Sequence, residues 1–188
     1  TNYRQRFRRD GQTILPDEIW VFDKPALERA RKLFPSVTLN LMPSSYEKRI
    51  LTRVNKFQPI SNRILYLCEP IRIKFRREGE VEIASLEEFL ERLSGSALYR
   101  DFNIHLRLHP SEKVGKYDAL ISRFKSIKFV SDDCDLGEAI GKASMVVGCS
   151  SYALYLAYKA GRKIISSVPK SVEDEVFNIG EIVSVEAL

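Results

Sequence analysis

The sequence predicts an α/β protein in which helices cover both faces of one parallel sheet. Three observations support this prediction. From residue 64 onward, short apolar runs of strand length alternate with stretches that repeat apolar residues at the helical period. Strands that alternate with such helices require crossover connections, and these give a doubly wound parallel sheet. Apolar residues make up 44% of the sequence, enough for a packed core, and no apolar run approaches the roughly 18 residues of a membrane span.

The predicted elements follow one another in a regular βα order. Strands are predicted over residues 64–68, 104–108, 127–130, 145–147, 163–167 and 182–185. Helices are predicted over residues 85–94 and 171–177, and a short helix is predicted to open at Asp135 and Glu138. Two more are predicted from the apolar residues that repeat at the helical period, namely Tyr117, Leu120, Ile121 and Phe124, and Ala153, Leu154, Ala157 and Tyr158. Ser85 and Glu88 have the spacing of a capping box, so the first helix is expected to begin at Ser85. Together the elements predict a Rossmann-like domain over residues 61–188.

The first 60 residues are predicted to form a smaller α/β segment. Strands over residues 19–22 and 37–41 alternate with helices over residues 25–34 and 45–57. Two strands are too few to close a core of their own, because an independent sheet usually needs three or more. We interpret residues 1–60 as the remnant of an N-terminal α/β lobe plus a linker around Pro59.

Cysteine and charge content indicate the cellular setting. The three cysteines form no CxxC pair, so neither a disulfide framework nor a metal site is predicted, and a cytoplasmic protein is expected. The net charge is a modest +5, and part of it lies in two clusters that each contain one aromatic residue, Phe7 or Phe75, rather than a series that could stack successive bases, so no nucleic acid partner is expected. The clusters are either solvated surface or a means of peripheral association with acidic lipids at the inner face of the membrane. They consist of Arg4, Arg6, Arg8 and Arg9, and of Arg72, Lys74, Arg76 and Arg77.

Three loops are expected to converge where a doubly wound sheet binds its ligand, beyond the carboxyl ends of the strands at the reversal of strand order. They are Glu69-Pro70 after the first strand, His109-Pro110-Ser111 after the second, and residues 148–151 after the fourth. Arg107 lies two residues before His109 on the same strand face, and would add positive potential there.

Residues 148–151 and His109 are the candidates for binding a phosphate. Gly148 would let the backbone approach a ligand, and the following helix would direct its N–H groups and positive dipole end toward an anion. The hydroxyls of Ser150 and Ser151 add donors, although serine is also favoured as a simple helix cap. His109, at a strand end, is able to donate to a phosphoryl oxygen; a purely structural histidine is the alternative.

Several familiar motifs are absent. The sequence contains neither GxGxxG after its first strand, nor GxxxxGK[ST], nor GxSxG. Asp132, Asp133 and Asp135 are interpreted as loop and helix-capping residues rather than cation ligands. No cofactor and no metal are therefore expected.

The order of a strand ending in His109-Pro110, a βα unit, and a strand leading into Ser150-Ser151 resembles the C-terminal nucleotide-binding lobe of GT-B glycosyltransferases. The resemblance covers residues 61–168 and is to bacterial sialyltransferases, polysialyltransferases and capsule-polysaccharide transferases. In that group the His-Pro and Ser-Ser motifs bind the cytidine monophosphate of the activated sugar. CDP-glycerol polymerases have a similar pair, with an arginine at the place of Arg107. Residues 15–35 resemble the closing part of the N-terminal lobe.

The resemblance implies a glycosyltransferase that moves a sugar from a CMP- or CDP-linked donor to a surface-glycan acceptor, with Glu69 meeting the ribose hydroxyls or the cytosine amino group. The sialyltransferases carry their base in a paired-acid motif, whereas this sequence has only Arg9-Asp10-Gly11, so the base is not assigned to Asp10. Either the base lies in sequence missing from this chain or the chemistry differs, and we expect this chain alone to bind nucleotide weakly without catalysing transfer. A nucleotide-sugar epimerase or hydrolase of the same fold, and a non-catalytic nucleotide- or protein-binding domain, are the alternatives.

Overall fold

The computed structural model describes residues 7–10, 12–70, 80–97, 101–149, 151–168 and 183–184. The chain divides into two compact units, Thr1–Arg49 and Ile50–Leu188. From the sequence, residues 50–60 were predicted to belong to the N-terminal segment. In the structure, Ile50 and Val54 are buried in the core of the second unit, so these residues contribute to the larger fold.

The described residues of the first unit form two small sheets, one complete helix and the start of a second helix. β1 (Arg8–Arg9) and β2 (Gln12–Thr13) pair in antiparallel fashion. β3 (Glu18–Val21) and β4 (Thr38–Leu41) pair in parallel, and α1 (Lys24–Leu33) connects them. The chain then enters α2 (Ser45–Val54).

The boundaries of α1 follow from local chemistry. Asp23 caps the helix, because its carboxylate accepts a hydrogen bond from the Ala26 N–H at 2.6 Å. Pro25 lies in the first turn, where its missing N–H costs no helical hydrogen bond. Val21, Ala30 and Phe34 form the buried core of this unit.

The larger unit contains the strands β5 (Ile60–Leu67), β6 (Asn103–Arg107), β7 (Lys128–Ser131), β8 (Ala143–Gly148), β9 (Lys163–Ser166) and β10 (Val183–Ser184). Among the described residues they form one sheet in the order β10-β9-β8-β5-β6-β7, and every neighbouring pair is parallel. Strand order therefore reverses between β5 and β8, as it does in a Rossmann sheet. The predicted doubly wound α/β fold is confirmed.

Helices cover both faces of this sheet. Besides α2, they are α3 (Glu80–Gly95), α4 (Asp118–Ile121), α5 (Leu136–Lys142) and α6 (Tyr152–Lys159). The buried residues of α3 and α4 pack with Ile64 and Tyr66 of β5, whereas those of α2, α5 and α6 pack with Leu65 and Leu67. Because side chains alternate along a strand, β5 is buried on both faces and is the centre of the fold.

The predicted start of α3 was wrong. The helix already includes residue 80, and Ser85 is completely buried in its second turn. The Ser85 hydroxyl donates to the Val81 carbonyl at 2.7 Å, a bond typical of a serine inside a helix rather than at its cap. The capping-box spacing of Ser85 and Glu88 is therefore coincidental.

Two further helix predictions differ from the structure. The pattern from Tyr117 to Phe124 gives only the single turn of α4, after which the Phe124 N–H bonds to Ile121 in a tighter turn. In α6, Tyr158 is 41% exposed, and Leu156 is buried instead. The helix predicted over residues 171–177 lies outside the described residues.

Candidate functional site

The carboxyl ends of β5, β6 and β8 lie side by side at the reversal of strand order. Leu67, the last residue of β5, pairs with Arg107 of β6 on one side and with Gly148 of β8 on the other. The Cys68 N–H extends this pairing by donating to the Arg107 carbonyl at 2.9 Å. The three loops grouped by the sequence analysis therefore leave the sheet at one edge, where doubly wound proteins form their ligand crevice.

His109 is exposed and lies in a turn that determines which ring nitrogen carries the proton. The Ser111 N–H donates to His109 Nδ1 at 3.2 Å, and the Ser111 hydroxyl lies 2.8 Å from the same atom. A nitrogen that accepts from a backbone N–H has no proton of its own, so the proton of the neutral ring is on Nε2. His109 thus offers an N–H donor on the side of the ring away from Ser111. Pro110, also exposed, follows it in the turn.

Glu112 holds the His109 turn through two hydrogen bonds. Its Oε2 accepts from the His109 N–H at 3.0 Å, and the Glu112 N–H donates to the His109 carbonyl at 2.9 Å. The Glu112 side chain is only 2% exposed. Burial raises its pKa, but hydrogen bonds from Lys116, Tyr117 and the His109 N–H outweigh burial and hold the pKa below its usual range. Glu112 therefore stays ionised as an acceptor at neutral pH.

Lys116 links this turn to α3. Its ammonium donates to Glu112 Oε1 at 2.7 Å and to Glu82 Oε1 at 2.9 Å, and the Tyr117 hydroxyl donates to Glu112 Oε1 at 2.6 Å. Glu82 is in the first turns of α3, with its side chain 3% exposed. This network was not predicted from the sequence. The four-residue spacing of Glu112 and Lys116 was the available signal, but it is common on solvated helix surfaces.

Ser151 is the N-cap of α6. Its Oγ accepts from the Leu154 N–H at 3.3 Å, and its carbonyl accepts from the Tyr155 N–H at 3.2 Å. The helix cap, one of the two roles that the sequence allowed, is thus present. A cap uses an oxygen lone pair and leaves the hydroxyl proton available for donation, so capping and anion binding are compatible. Ser150 lies outside the described residues.

Gly148 is explained by packing within the sheet. A Cβ on Gly148 would lie 3.3 Å from both the Cβ and the carbonyl oxygen of Leu67. A side chain there would require Leu67 to shift by a few tenths of an ångström, so the close approach of β5 and β8 favours glycine at this position.

Cys149 and Glu69 lie close together at the same edge. Burial, followed by the negative charge of Glu69, raises the pKa of Cys149 to about 12. The thiol is therefore neutral at physiological pH and is not a nucleophile. The half-buried Glu69 follows β5 at this edge.

Arg107 is held by the loop that follows β7. Its Nη1 donates to the Asp132 carbonyl at 3.3 Å, to Asp132 Oδ1 at 3.4 Å and to the Cys134 carbonyl. These three hydrogen bonds hold the guanidinium against the loop that follows β7. The structure thus gives Arg107 a role in fixing residues 132–134, besides the positive charge that the sequence analysis assigned to it.

The part of the chain that the structure describes contains neither a metal site nor a membrane-spanning helix. No group of three or more His, Cys, Asp or Glu side chains there is arranged to hold a metal ion. Within the same residues, no helix has both the length and the apolar character needed to cross a membrane.

Comparison with known proteins gives little further information. No protein-family model matches the sequence, and no curated protein matches it. Among solved structures, the chain is similar to one described as Thermosulfurimonas dismutans KpsC, beta Kdo 2,4 transferase, with a TM-score of 0.40 and 16% sequence identity. The match covers 64% of this chain and 43% of that chain, so this chain spans less than half the length of that structure.

Proposed function

We propose that this chain binds the nucleotide-activated sugar donor of a glycosyltransferase, with the donor phosphate between His109 and the Ser150-Ser151 pair. The observation that carries the proposal is the pairing of Leu67 with both Arg107 and Gly148, because it brings the His109 turn and the start of α6 to one edge. The His109 turn contributes the Nε2–H donor. The start of α6 contributes the Ser151 hydroxyl, and the positive end of the helix dipole adds to the attraction for an anion.

The reaction that this arrangement would assist is departure of the nucleoside phosphate from the sugar. Negative charge grows on the phosphate as the glycosidic bond breaks, so donors already fixed in place stabilise the transition state more than the bound donor. His109 is fixed by Ser111 and Glu112, and Ser151 by its cap on α6. Little reorganisation is needed when the charge develops.

The nature of the donor and acceptor follows from the motifs. His109-Pro110 and Ser150-Ser151 resemble the cytidine-nucleotide motifs of bacterial sialyl- and capsule-polysaccharide transferases, so we assign a CMP- or CDP-linked donor and a surface-glycan acceptor. In this proposal Glu69 meets the ribose hydroxyls or the cytosine amino group. The protein would work in the cytoplasm, with its basic clusters toward acidic lipids of the inner membrane face.

Calorimetric titration of CMP and UMP tests the proposal. CMP should bind more tightly than UMP, and His109→Ala should lose a charge-assisted hydrogen bond of about 1.5–3 kcal/mol, or about ten- to hundredfold in affinity. Ser122→Ala, an exposed serine after α4, serves as the control and should bind like the wild type. Equal CMP affinity in the wild type and in folded His109→Ala would place the phosphate elsewhere and refute the proposal.

A further inference from the structure

The hydrogen bonds of Glu112 with Lys116 and Tyr117 form a network that holds the His109 turn. Glu112 is the only side chain in the described residues that accepts from the His109 N–H, and it lies almost completely out of solvent. Its other oxygen is held by Lys116 and Tyr117. A buried carboxylate with both oxygens hydrogen-bonded has little freedom, so the backbone of His109 is fixed relative to the sheet.

The network also extends to α3. Lys116 bridges Glu112 to Glu82 of α3, the helix that follows β5. Burial lowers the pKa of Lys116, but the hydrogen bonds that its ammonium donates to Glu112 and Glu82 outweigh burial and raise it. The ammonium thus stays charged between two carboxylates, and the His109 turn is tied to β5 through α3 as well as to β6.

We propose that Glu112 is a positioning residue for His109: it fixes the turn in which Ser111 occupies Nδ1, so that Nε2–H is presented to a phosphoryl oxygen of the donor. This inference rests on the proposed function for its ligand. It assigns to Glu112 no contact with the donor and no part in bond breaking. Glu112 acts only through the orientation and tautomer of the His109 ring.

Glu112→Gln tests this role directly, because the glutamine amide has the shape of the glutamate carboxylate but only one oxygen that accepts hydrogen bonds. If that oxygen accepts from the His109 N–H, the NH₂ group faces the Lys116 ammonium. If the oxygen faces Lys116, the NH₂ group faces the His109 N–H. Either orientation sets two donors against each other, so glutamine is unable to satisfy both sides of the turn. Glu91→Gln, an exposed change of the same chemistry on α3, is the matched control.

The experiment is a double-mutant cycle read by CMP affinity, together with ¹⁵N chemical shifts of the His109 ring in the full chain. Glu112→Gln should weaken CMP binding about tenfold, the effect of losing one aligned hydrogen bond, and should have no further effect in the His109→Ala background. In Glu112→Gln, the ¹⁵N chemical shifts of the His109 ring should move from the values of a single tautomer toward those of a mixture of both tautomers. Tyr117→Phe, which removes one donor to Glu112 at nearly constant volume, should produce a smaller change of the same kind, and supplies the test if Glu112→Gln does not fold.

The opposite results separate the two proposals. Two results would mean that the network only stabilises the fold, and either would overturn this inference alone. One is that the losses of CMP affinity caused by Glu112→Gln and by His109→Ala multiply in the double variant. The other is an unchanged His109 tautomer in folded Glu112→Gln and Tyr117→Phe. A wild-type protein that does not bind CMP would overturn the proposed function, and with it the ligand that the positioned His109 serves.

Discussion

The guanidinium of Arg63 reaches across β6 to the carboxylate of Asp132, with Nη2 of Arg63 2.6 Å from Oδ2 of Asp132. The Asp132 side chain is only 1% exposed. It also accepts from Arg107 at 3.4 Å, so one buried carboxylate compensates two guanidinium groups. This arrangement joins β5 and β6 to the loop after β7.

Asp132→Ala is expected to destabilise the protein by about 3–5 kcal/mol, because it leaves the Arg63 charge buried without compensation. Chemical denaturation measures the loss. Asp133→Ala, at the exposed neighbouring position, is the control and should change stability by less than about 0.5 kcal/mol. A similar small change for both variants would show that the buried ion pair contributes nothing net.

The sequence was informative about the sheet and uninformative about this network. Apolar runs such as residues 64–68 and 145–147 predicted strands because a central parallel strand is buried on both faces. The pairing of Arg63 with Asp132 joins residues 69 positions apart, and no local pattern encodes it. For the same reason, the edge that carries His109 and Ser151 was predictable from strand ends, whereas the anchoring of His109 by Glu112 and Lys116 was not.

His105 should make stability depend on pH. Burial, followed by the positive charge of Arg63, lowers the pKa of His105 below 6.5. The unfolded chain therefore binds a proton at a higher pH than the folded protein does, and the stability present above pH 6.5 is lost as the pH falls from 6.5 through the lower pKa of the folded protein. Urea denaturation at about pH 7.5 and 5.5 should show this loss, and His105→Gln should reduce it. An unchanged pH dependence in His105→Gln would contradict the assignment.

Gly141 of α5 should tolerate no side chain. A Cβ there would lie 2.9 Å from the carbonyl oxygen of Val54 and from the Cβ of Phe57. Gly141→Ala should therefore destabilise the protein by about 1–3 kcal/mol, despite the better helix propensity of alanine. Gly95→Ala in α3 is the matched control, since nothing lies within 4 Å of its Cβ, and it should be neutral or stabilising by up to about 1 kcal/mol. Thermal unfolding of both variants checks the contrast.

The basic clusters should not make this a nucleic-acid-binding protein. Sequence-independent affinity for duplexes arises from phosphate contacts and falls steeply with salt. We expect no micromolar binding of a fluorescent duplex, by anisotropy, at either about 50 or about 200 mM salt. Micromolar affinity that disappears between these concentrations would contradict the expectation and assign the clusters to nucleic acid.

Ser151 offers a test that separates helix capping from phosphate binding. Ser151→Ala removes the acceptor for the Leu154 N–H and should cost about 0.5–2 kcal/mol of stability. It should weaken CMP binding less than His109→Ala does, because the N–H groups at the start of α6 remain. Ser151→Asp should keep the cap, since aspartate caps helices as well as serine does, and its charge also suits the helix dipole.

If the donor phosphate lies at the start of α6, Ser151→Asp places a carboxylate against it. CMP affinity should then fall further in Ser151→Asp than in Ser151→Ala, although Ser151→Asp is the more stable of the two proteins. Stability and affinity would thus rank the variants in opposite orders, which a role in capping alone does not produce. Thermal unfolding and CMP titration of the two variants give both rankings. Equal CMP affinity in folded Ser151→Asp and in the wild type would mean that no phosphate approaches α6, because a negative charge within hydrogen-bonding distance of a bound phosphate is strongly repulsive.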